Sequence, residues 1–552
     1  MKKKIVEEQN QKLGEYPRQV GVGHRHLVTR REFVGHGVLA GSAFAVVPSL
    51  LSLISEKAYG AVPDAAACKA MQGAGSGKAR IPFLIIDQVS GATHAGREIL
   101  AGGGAGGQSE LLSDFRYLGL NRTGVIPAGE INSTYGLRFH STSNVLQGME
   151  SVFNSPAMTA ARNNDIAQQG GLGFTAAQVA NIKANIDGML FANVSGDDTS
   201  NNPHNPAYFI VNSGTRGRAT QIVGSGNTAD SRGRSRAALN SFDASLQAVR
   251  VSSKADAAGL VNAGGLVAQL GEANAQEVLK ATRSMSSTQI QNFSEKALPE
   301  QSKILSECGY IGAASLVEDS KADNPDPNAD PLIKATNNIA GVNNANVAGG
   351  FAERIQTMAK LVVDGFAGAG TVELGNCDFH ATGLAGSEAR SRELGIGIAM
   401  SIAIAASKGK SLMIYVITDG SASSRPGNAV SGDHVQYTAE DGDVSSAVMI
   451  VYRHPANAEV NRDTNPILNS YMLEGAQGRR QVGFYRVANG TTSVNTTAGV
   501  VTTNSVSNLA IAAVANYMAL HGEDASKVAA VVKADVPFSS EYDKYVGFKK
   551  IV

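Results

Sequence analysis

The sequence contains no tryptophan and few other aromatic residues. Of its 552 residues only 6% are Phe, Trp or Tyr, whereas 61 are glycine. A chain of this length can bury a large core. Because aromatic side chains are scarce, aliphatic and small side chains must fill that core, and the many glycines allow backbone segments to approach closely.

Cysteine is also scarce, since the chain has only Cys68, Cys308 and Cys377. An odd number of widely spaced cysteines fits neither a disulfide framework nor a zinc site built from thiolates. Cys377 directly precedes Asp378 on a predicted strand, where neighbouring side chains point to opposite faces. We therefore expect Cys377 to be a small, buried hydrophobic residue.

The chain has no excess of either charge, because 48 Lys and Arg residues balance 48 Asp and Glu residues. It also has no basic patch interleaved with aromatic residues. Proteins that bind nucleic acid normally carry such a patch, which contacts the phosphates. Nucleic acid is therefore not an expected partner.

The first 60 residues carry a pattern typical of an export signal. Arg30 and Arg31 precede a mildly apolar, uncharged run at 34–54, which resembles a twin-arginine signal. Small residues at Ala58 and Gly60 would permit cleavage after residue 60. The alternative is an uncleaved membrane anchor, since about 20 apolar residues can span a bilayer. We expect a periplasmic, cell-surface or secreted protein that contacts the membrane only if the signal stays uncleaved.

Short apolar runs rich in β-branched residues alternate with helix-length segments after the signal. This alternation predicts one α/β domain at 61–552, with a mixed, mostly parallel sheet flanked by helices. The predicted strands include 81–86, 189–194, 412–418, 444–452 and 482–487. Helical patterning at 239–318 indicates an inserted helical region, and Pro- and Asp-rich residues at 321–331 indicate a linker. The Gly-, Ser- and Arg-rich stretch at 214–236 is predicted to be an extended loop.

Acidic and imidazole side chains follow several of the predicted strands. Because the carboxyl ends of parallel strands meet at one edge of a sheet, these side chains are expected to converge there. Asp and His are ligands suited to zinc, manganese, magnesium or calcium. The pattern therefore predicts a site for a divalent metal ion. Its candidate ligands are Asp87, Asp378, His380, Asp419, Asp433 and His434.

A group of hydroxyl side chains precedes a predicted helix whose apolar positions are Val145, Met149 and Val152. The free amides and the dipole at a helix N-terminus favour a nucleophile that acts on an anionic substrate. Ser141 and Ser143, with Thr142 between them, are therefore candidate nucleophiles. The alternative is that these residues only cap the helix.

A second polar cluster contains Asp197, Asp198 and His204 on a loop with two prolines. Two carboxylates and an imidazole in so short a segment would bind a substrate or complete a metal site. The alternative is a solvated turn whose side chains bond their own backbone.

The order and spacing of these motifs resemble those of an uncharacterised family of exported bacterial proteins in the alkaline phosphatase and sulfatase superfamily. The resemblance covers about half of the chain. The residues that carry it are the arginine pair, the first strand ending near Asp87, Asp378-x-His380, Thr418-Asp419-Gly420 and Gly432-Asp433-His434. It implies an alkaline phosphatase-like fold in which Asp87, Asp378, His380, Asp419 and His434 bind metal.

The same resemblance implies a metal-dependent hydrolase of small phosphate or sulfate esters. The chain departs from the family pattern, however: Asn376-Cys377 replaces Gly-Trp, and Asp419-Gly-Ser replaces Glu-Phe-Gly-Arg, so the arginine expected to bind the anion is absent. The alternative function is therefore a non-catalytic secreted or surface protein that uses the fold for binding or assembly.

A binding module of a different type is a further alternative. Asp87-Gln-Val-Ser90-Gly91 and Val416-Ile-Thr-Asp419 resemble pieces of a von Willebrand type A metal-adhesion domain. The long stretch of chain between the two pieces and their altered Asp-x-Ser spacing argue against that module. We therefore expect the metal-binding edge of an alkaline phosphatase-like sheet instead.

Overall fold

A computed structural model of the protein describes most of the predicted domain. The described residues are 81–88, 91–165, 167–168, 170–192, 219–224, 249–250, 254, 257, 326–339, 350–365, 367–418, 420–455, 479–488, 491–494, 506–524 and 545–551. All of them belong to one compact unit, Leu39–Val552. The predicted export signal at 1–60 and nearly all of the predicted helical insertion at 239–318 lie outside the described residues. In the described segments, no helix is both long enough and apolar enough to cross a bilayer.

The strands are numbered in chain order. They are β1 (Phe83–Gln88), β2 (Ile131–Asn132), β3 (Phe139–His140), β4 (Ile186–Ala192), β5 (Ala219–Gly224), β6 (Val249–Arg250), β7 (Ala367–Leu374), β8 (Leu412–Thr418), β9 (Ala422–Ser424), β10 (Val430–Ser431), β11 (His434–Val435), β12 (Tyr437–Glu440), β13 (Ser446–Tyr452), β14 (Gln481–Val482), β15 (Tyr485–Ala488) and β16 (Thr491–Val494). The α-helices are α1 (Asn144–Phe153), α2 (Pro156–Thr159), α3 (Ala176–Ala184), α4 (Pro331–Ala335), α5 (Phe351–Val363), α6 (Phe379–Ser407) and α7 (Val506–Leu520).

Eight strands form a central sheet in the order β14-β4-β13-β8-β1-β7-β5-β6. β1 lies parallel to both β7 and β8, while β13 runs antiparallel to its neighbours β8 and β4. Seven of the eight strands therefore share one direction, since β14 is parallel to β4, and β5 is parallel to both β6 and β7. The predicted mixed, mostly parallel α/β sheet flanked by helices is confirmed.

Side chains of the central strands alternate between two apolar layers, as strand geometry requires. In β8, Ile414 and Val416 pack into the core that includes residues of α1, α5 and α6. Met413 and Tyr415 point to the other face, into the core that includes residues of α7 and the segment at 545–551. Because both faces are covered, β8 reads in sequence as an unbroken apolar run, which is typical of buried parallel strands.

One predicted strand and one predicted loop need correction. The apolar run at 482–487 forms two strands, β14 and β15, separated at Gly483, whose φ is +73°. The predicted loop at 214–236 contains β5, and the predicted helical region contains the short strand β6. The loop prediction was wrong for 219–224, because pairing with β7 outweighs the weak local propensity of that sequence. The helical prediction for 239–318 stays a prediction, since only 249–250, 254 and 257 of that region are described, and residues 254 and 257 are helical.

The described part of the predicted linker folds onto the domain. Asp330 caps α4, accepting a hydrogen bond from the Leu332 amide. Its carboxylate also lies 2.8 Å from Lys360 Nζ and 2.9 Å from Lys408 Nζ, and Lys360 contacts Asp364 at 2.7 Å. Burial alone would raise the pKa of Asp330, but the two lysines lower it to about 2. This network of four charges ties α4 to the C-terminal ends of α5 and α6.

Candidate metal centre

The loop between β7 and α6 presents the first two candidate ligands. β7 ends at Leu374, opposite Gln88 of β1, at the carboxyl edge of the sheet. Asn376 follows with φ of +59°, a left-handed conformation that is uncommon for a residue other than glycine. Asp378 then occupies the N-cap of α6, and His380 lies in its first turn. The prediction that Asp378 lies on a strand was therefore wrong, although Asp378 and His380 do lie beyond the end of a strand.

The Asp378 carboxylate does not perform the usual capping role. The side chain of this N-cap residue makes no capping hydrogen bond, while its backbone carbonyl accepts from the Thr382 amide at 2.9 Å. A carboxylate at an N-cap normally bonds an amide of the first turn. Here Oδ1 of Asp378 instead contacts Nδ1 of His380.

Glu440 completes a group of three residues that could hold a metal ion. One ligand atom each from Asp378, His380 and Glu440 lie within 4.8 Å of one another. The distance from His380 Nδ1 to Glu440 Oε1 is 3.8 Å, and the side chains of Asp378 and His380 are only about one third exposed. Two carboxylates and an imidazole form a donor set suited to zinc or manganese, and three protein ligands leave coordination positions for a substrate.

Sequence reasoning missed Glu440. This residue ends β12, which pairs with β9, so that Glu440 stands opposite Ala422. Its side chain is 65% exposed, and nothing in the local pattern distinguishes it from an ordinary solvated glutamate. Only the pairing of β12 with the strand that follows β8 brings it to His380.

The other candidate ligands predicted at strand ends are not part of the group formed by Asp378, His380 and Glu440 among the described residues. Asp87, near the end of β1, lies opposite Glu373 of β7 and Ile417 of β8, at the same edge of the sheet. It is not a member of the three-residue group. Asp419 lies outside the described residues, as do the substrate-binding candidates Asp197, Asp198 and His204.

Asp433 and His434 lie in and beside a small hairpin instead. Asp433 Oδ1 is 2.9 Å from Arg122 Nη1. His434 is buried, with Nδ1 3.2 Å from Glu388 Oε1 and its ring edge against Tyr437. Burial lowers the pKa of His434 to about 4, so the ring is neutral at pH 7. Neither residue belongs to the group formed by Asp378, His380 and Glu440.

The two serines proposed as nucleophiles differ in their surroundings. Ser143 is buried at the N-cap of α1, where Oγ accepts from the Leu146 amide at 3.1 Å and donates to Glu98 at 2.8 Å. Ser141 is exposed, and its amide donates to the Glu130 carbonyl. The hydroxyl of Ser143 thus serves as a cap.

Cys377 lies next to the candidate centre but points away from solvent. It is a fully buried free thiol whose Sγ donates to the Leu374 carbonyl at 3.1 Å. The expected role as a small buried hydrophobic residue is confirmed. The candidate ligand set therefore consists of oxygen and nitrogen donors.

Comparisons with known proteins identify no relative. No protein-family model, no curated protein and no solved structure matches the chain. The function must therefore be inferred from the residues and geometry of the site itself.

Proposed function

We propose that this protein is an exported hydrolase of the alkaline phosphatase type that needs a divalent metal ion and cleaves small phosphate or sulfate esters. The observation that carries this proposal is the convergence of Asp378, His380 and Glu440. The first two lie just beyond the carboxyl end of β7, where α/β sheets bind ligands. A divalent ion held there by these residues would supply a Lewis acid able to polarise a phosphoryl or sulfuryl oxygen.

The three side chains are suited to distinct parts of this task. Asp378 and His380 come from one turn of backbone, so their spacing is fixed locally, and the Asp378 carboxylate is not used as a cap. Glu440 comes from β12 and is more exposed, so ion binding would join β12 to the start of α6. The first amides of α6 also favour an anionic substrate near this edge.

Metal content and ester hydrolysis, measured together, test the proposal. The purified full-length protein should retain a divalent ion through dialysis, detected by inductively coupled plasma mass spectrometry, and should hydrolyse p-nitrophenyl phosphate or p-nitrophenyl sulfate. Asp378→Asn and His380→Ala should lose the ion and the activity together. Asp443→Asn is the matched control, because this exposed carboxylate lies near Glu440 in sequence but outside the group. A wild-type protein without bound metal would overturn the proposal.

A non-catalytic binding or structural role is the second candidate. The observation that favours it is the engagement of the Ser143 hydroxyl as both donor and acceptor, which leaves it poorly placed to attack an ester. In that case the wild-type protein would bind the ion through Asp378 and His380 but would cleave neither ester. Stoichiometric metal without hydrolysis would therefore decide for the second candidate.

A further inference from the structure

A second group of reactive side chains surrounds His140, at the end of β3. Nδ1 of His140 is 2.8 Å from Oγ1 of Thr142, and Nε2 is 3.3 Å from Oε2 of Glu130. Glu130 comes from a separate 3-10 turn, Ala128–Glu130, whose following residue Ile131 pairs with His140 across β2 and β3. The hydroxyl therefore contacts the imidazole, and the imidazole contacts the carboxylate. This is the arrangement in which a hydroxyl is activated as a nucleophile.

The hydrogen bonds in this group have a consistent direction. A carboxylate only accepts, so the proton of neutral His140 belongs on Nε2, facing Glu130. Nδ1 is then an acceptor, which agrees with the approach of the Thr142 amide to within 3.4 Å. Nη1 of Arg97 donates to Oγ1 of Thr142 at 3.0 Å and to its carbonyl at 2.6 Å. The hydroxyl proton of Thr142 is thus left to point at His140.

The electrostatic surroundings keep His140 in its basic form. The side chain of His140 is fully buried, and burial lowers its pKa, although Glu130 and Asp433 act in the opposite direction. Arg97 also lowers it. The imidazole is therefore neutral at pH 7 and able to accept a proton.

An unused donor lies beside the hydroxyl. Arg97 is only 4% exposed, and its Nε is buried with no hydrogen-bond partner among the described residues. A buried N–H without a partner costs free energy unless another group satisfies it. Since Nη1 of the same guanidinium holds Thr142, Nε is available to an oxygen atom of a bound substrate.

We propose that Thr142 is the nucleophile of an acyl-transfer site that cleaves carboxylic esters without a metal ion. Oγ1 of Thr142 attacks the carbonyl carbon while its proton passes to Nδ1 of His140. The bond to the leaving alcohol breaks, and the alcohol takes that proton, leaving an acyl ester on Thr142. Water then attacks this ester through the same base, releasing the carboxylic acid and restoring the hydroxyl.

Glu130 is the positioning residue of this site. It accepts from Nε2 of His140 and from Nε of Arg122 at 2.9 Å, and Arg122 also pairs with Asp433. The hydrogen bonds from Arg122 and His140 hold the pKa of Glu130 below its usual range. Glu130 is therefore ionised at neutral pH and fixes the tautomer of His140.

Covalent labelling of the full-length protein tests this assignment. A fluorophosphonate probe should modify Thr142, as located by peptide mass spectrometry, and p-nitrophenyl acetate should be hydrolysed at the same site. Thr142→Val should abolish both signals, whereas Thr142→Ser should retain them and so separate loss of the hydroxyl from loss of folding. Thr134→Val makes the same change at an exposed threonine and should have no effect. His140→Gln should slow labelling about 100-fold, the lower end of general-base contributions.

Two further measurements separate this site from the metal centre and test Glu130. Labelling of Thr142 should be unchanged in EDTA, because the acyl-transfer site uses no metal ion. One proposal can therefore be overturned while the metal-dependent hydrolysis stands, and the reverse also holds. Glu130→Gln should move the midpoint of the pH–rate profile to lower pH, because the hydrogen bond to Glu130 raises the pKa of His140 against the larger opposing effect of burial. The Asp433 charge is unaltered in that variant. An adduct on Ser141 or Ser143, no adduct at 139–143, a loss of labelling in EDTA or an unmoved midpoint would each overturn the assignment.

Discussion

Two groups of charged side chains in this protein show how a structural network differs from a site for an ion. Asp330, Lys360, Asp364 and Lys408 form a network in which two carboxylates face two ammonium groups, and three of the four side chains are less than 10% exposed. Asp378, His380 and Glu440 bring together two carboxylates with a single imidazole, and all three are accessible to solvent.

The difference lies in where the positive charge comes from. The buried network carries its own cations, so its charges are satisfied within the fold. In the solvent-accessible group the negative charges outnumber the only basic side chain, and an added divalent ion would correct that excess. Removing one ion from the first arrangement should destabilise the fold, because it leaves an opposite charge buried and uncompensated, whereas a change in the second should not unfold the protein. Substitutions in the buried network should therefore lower the stability of the fold, whereas substitutions in the solvent-accessible group should lower metal-dependent activity and leave stability almost unchanged.

The largest effect is expected for Lys360→Met. Removing this ammonium leaves Asp330 and Asp364 buried with only Lys408, which should lower the free energy of unfolding by about 3 kcal/mol. Urea denaturation followed by circular dichroism measures the change. Lys410→Met is the matched control, since Lys410 is exposed and should change stability by less than about 0.5 kcal/mol. Equal losses for the two variants would show that the buried network is not structural.

For His380→Ala we expect a large loss of activity and almost no loss of stability. This change should reduce metal-dependent ester hydrolysis by about 100-fold or more, equivalent to about 2.7 kcal/mol of transition-state stabilisation. Stability in the presence of EDTA should stay within about 0.5 kcal/mol of wild type, because the side chain is partly exposed. If His380→Ala unfolds the metal-free protein, the contrast between the two groups fails.

The next largest effect is expected when acid protonates the buried network. The folded-state pKa of Asp330 is about 2, below its ordinary value of 3.8. A lowered pKa contributes stability that is present above the unfolded value and is lost as the pH falls through the folded value. The loss between these two pH values should approach about 2 kcal/mol, measured by denaturation at stepped pH. Asp330→Asn should remove this part of the acid dependence; an unchanged profile would exclude Asp330 as its source.

The smallest effect is expected for Glu440→Gln. Glu440 is the most exposed member of its group, and glutamine keeps an oxygen donor while removing one charge. Metal affinity should fall about tenfold, or about 1.4 kcal/mol, as measured by isothermal titration calorimetry. A loss as large as that of His380→Ala would mean that Glu440 is an equal partner in the centre.

Local sequence patterns predicted the parts of the fold whose residues carry their own signal. The unbroken apolar run at 412–418 can be recognised because β8 is buried on both faces. Asp378 and His380 can be recognised because they follow the short strand-like segment at 372–374, although β7 as a whole is not an unbroken apolar run. β5 and Glu440 could not be found in this way. The strand β5 depends on its partner β7, and Glu440 depends on the pairing of β12 with β9.

The hydrogen-bonded group formed by Thr142, His140 and Glu130 shows the same limit of local sequence patterns. The hydroxyl-rich segment before α1 indicated the stretch of chain that carries the proposed nucleophile, but the candidates drawn from it were Ser141 and Ser143, with Thr142 only as the residue between them. What distinguishes Thr142 is its contact with Arg97, which lies 45 positions earlier. The contact between Thr142 and His140 is local, but the contact between Thr142 and Arg97 joins distant segments, and no local pattern encodes it.

The break in α6 has a consequence for how an ion would be accommodated. Gly383 has φ of 70° and ψ of −176°, so a non-helical residue separates the single turn that carries His380 from the long buried part of the helix. A Cβ at this position would meet no atom within 4 Å, so backbone conformation, not space, selects glycine there. We therefore expect the ligand-bearing turn to adjust to ions of different radius through backbone rotation at Gly383, while the rest of α6 keeps its packing against the sheet.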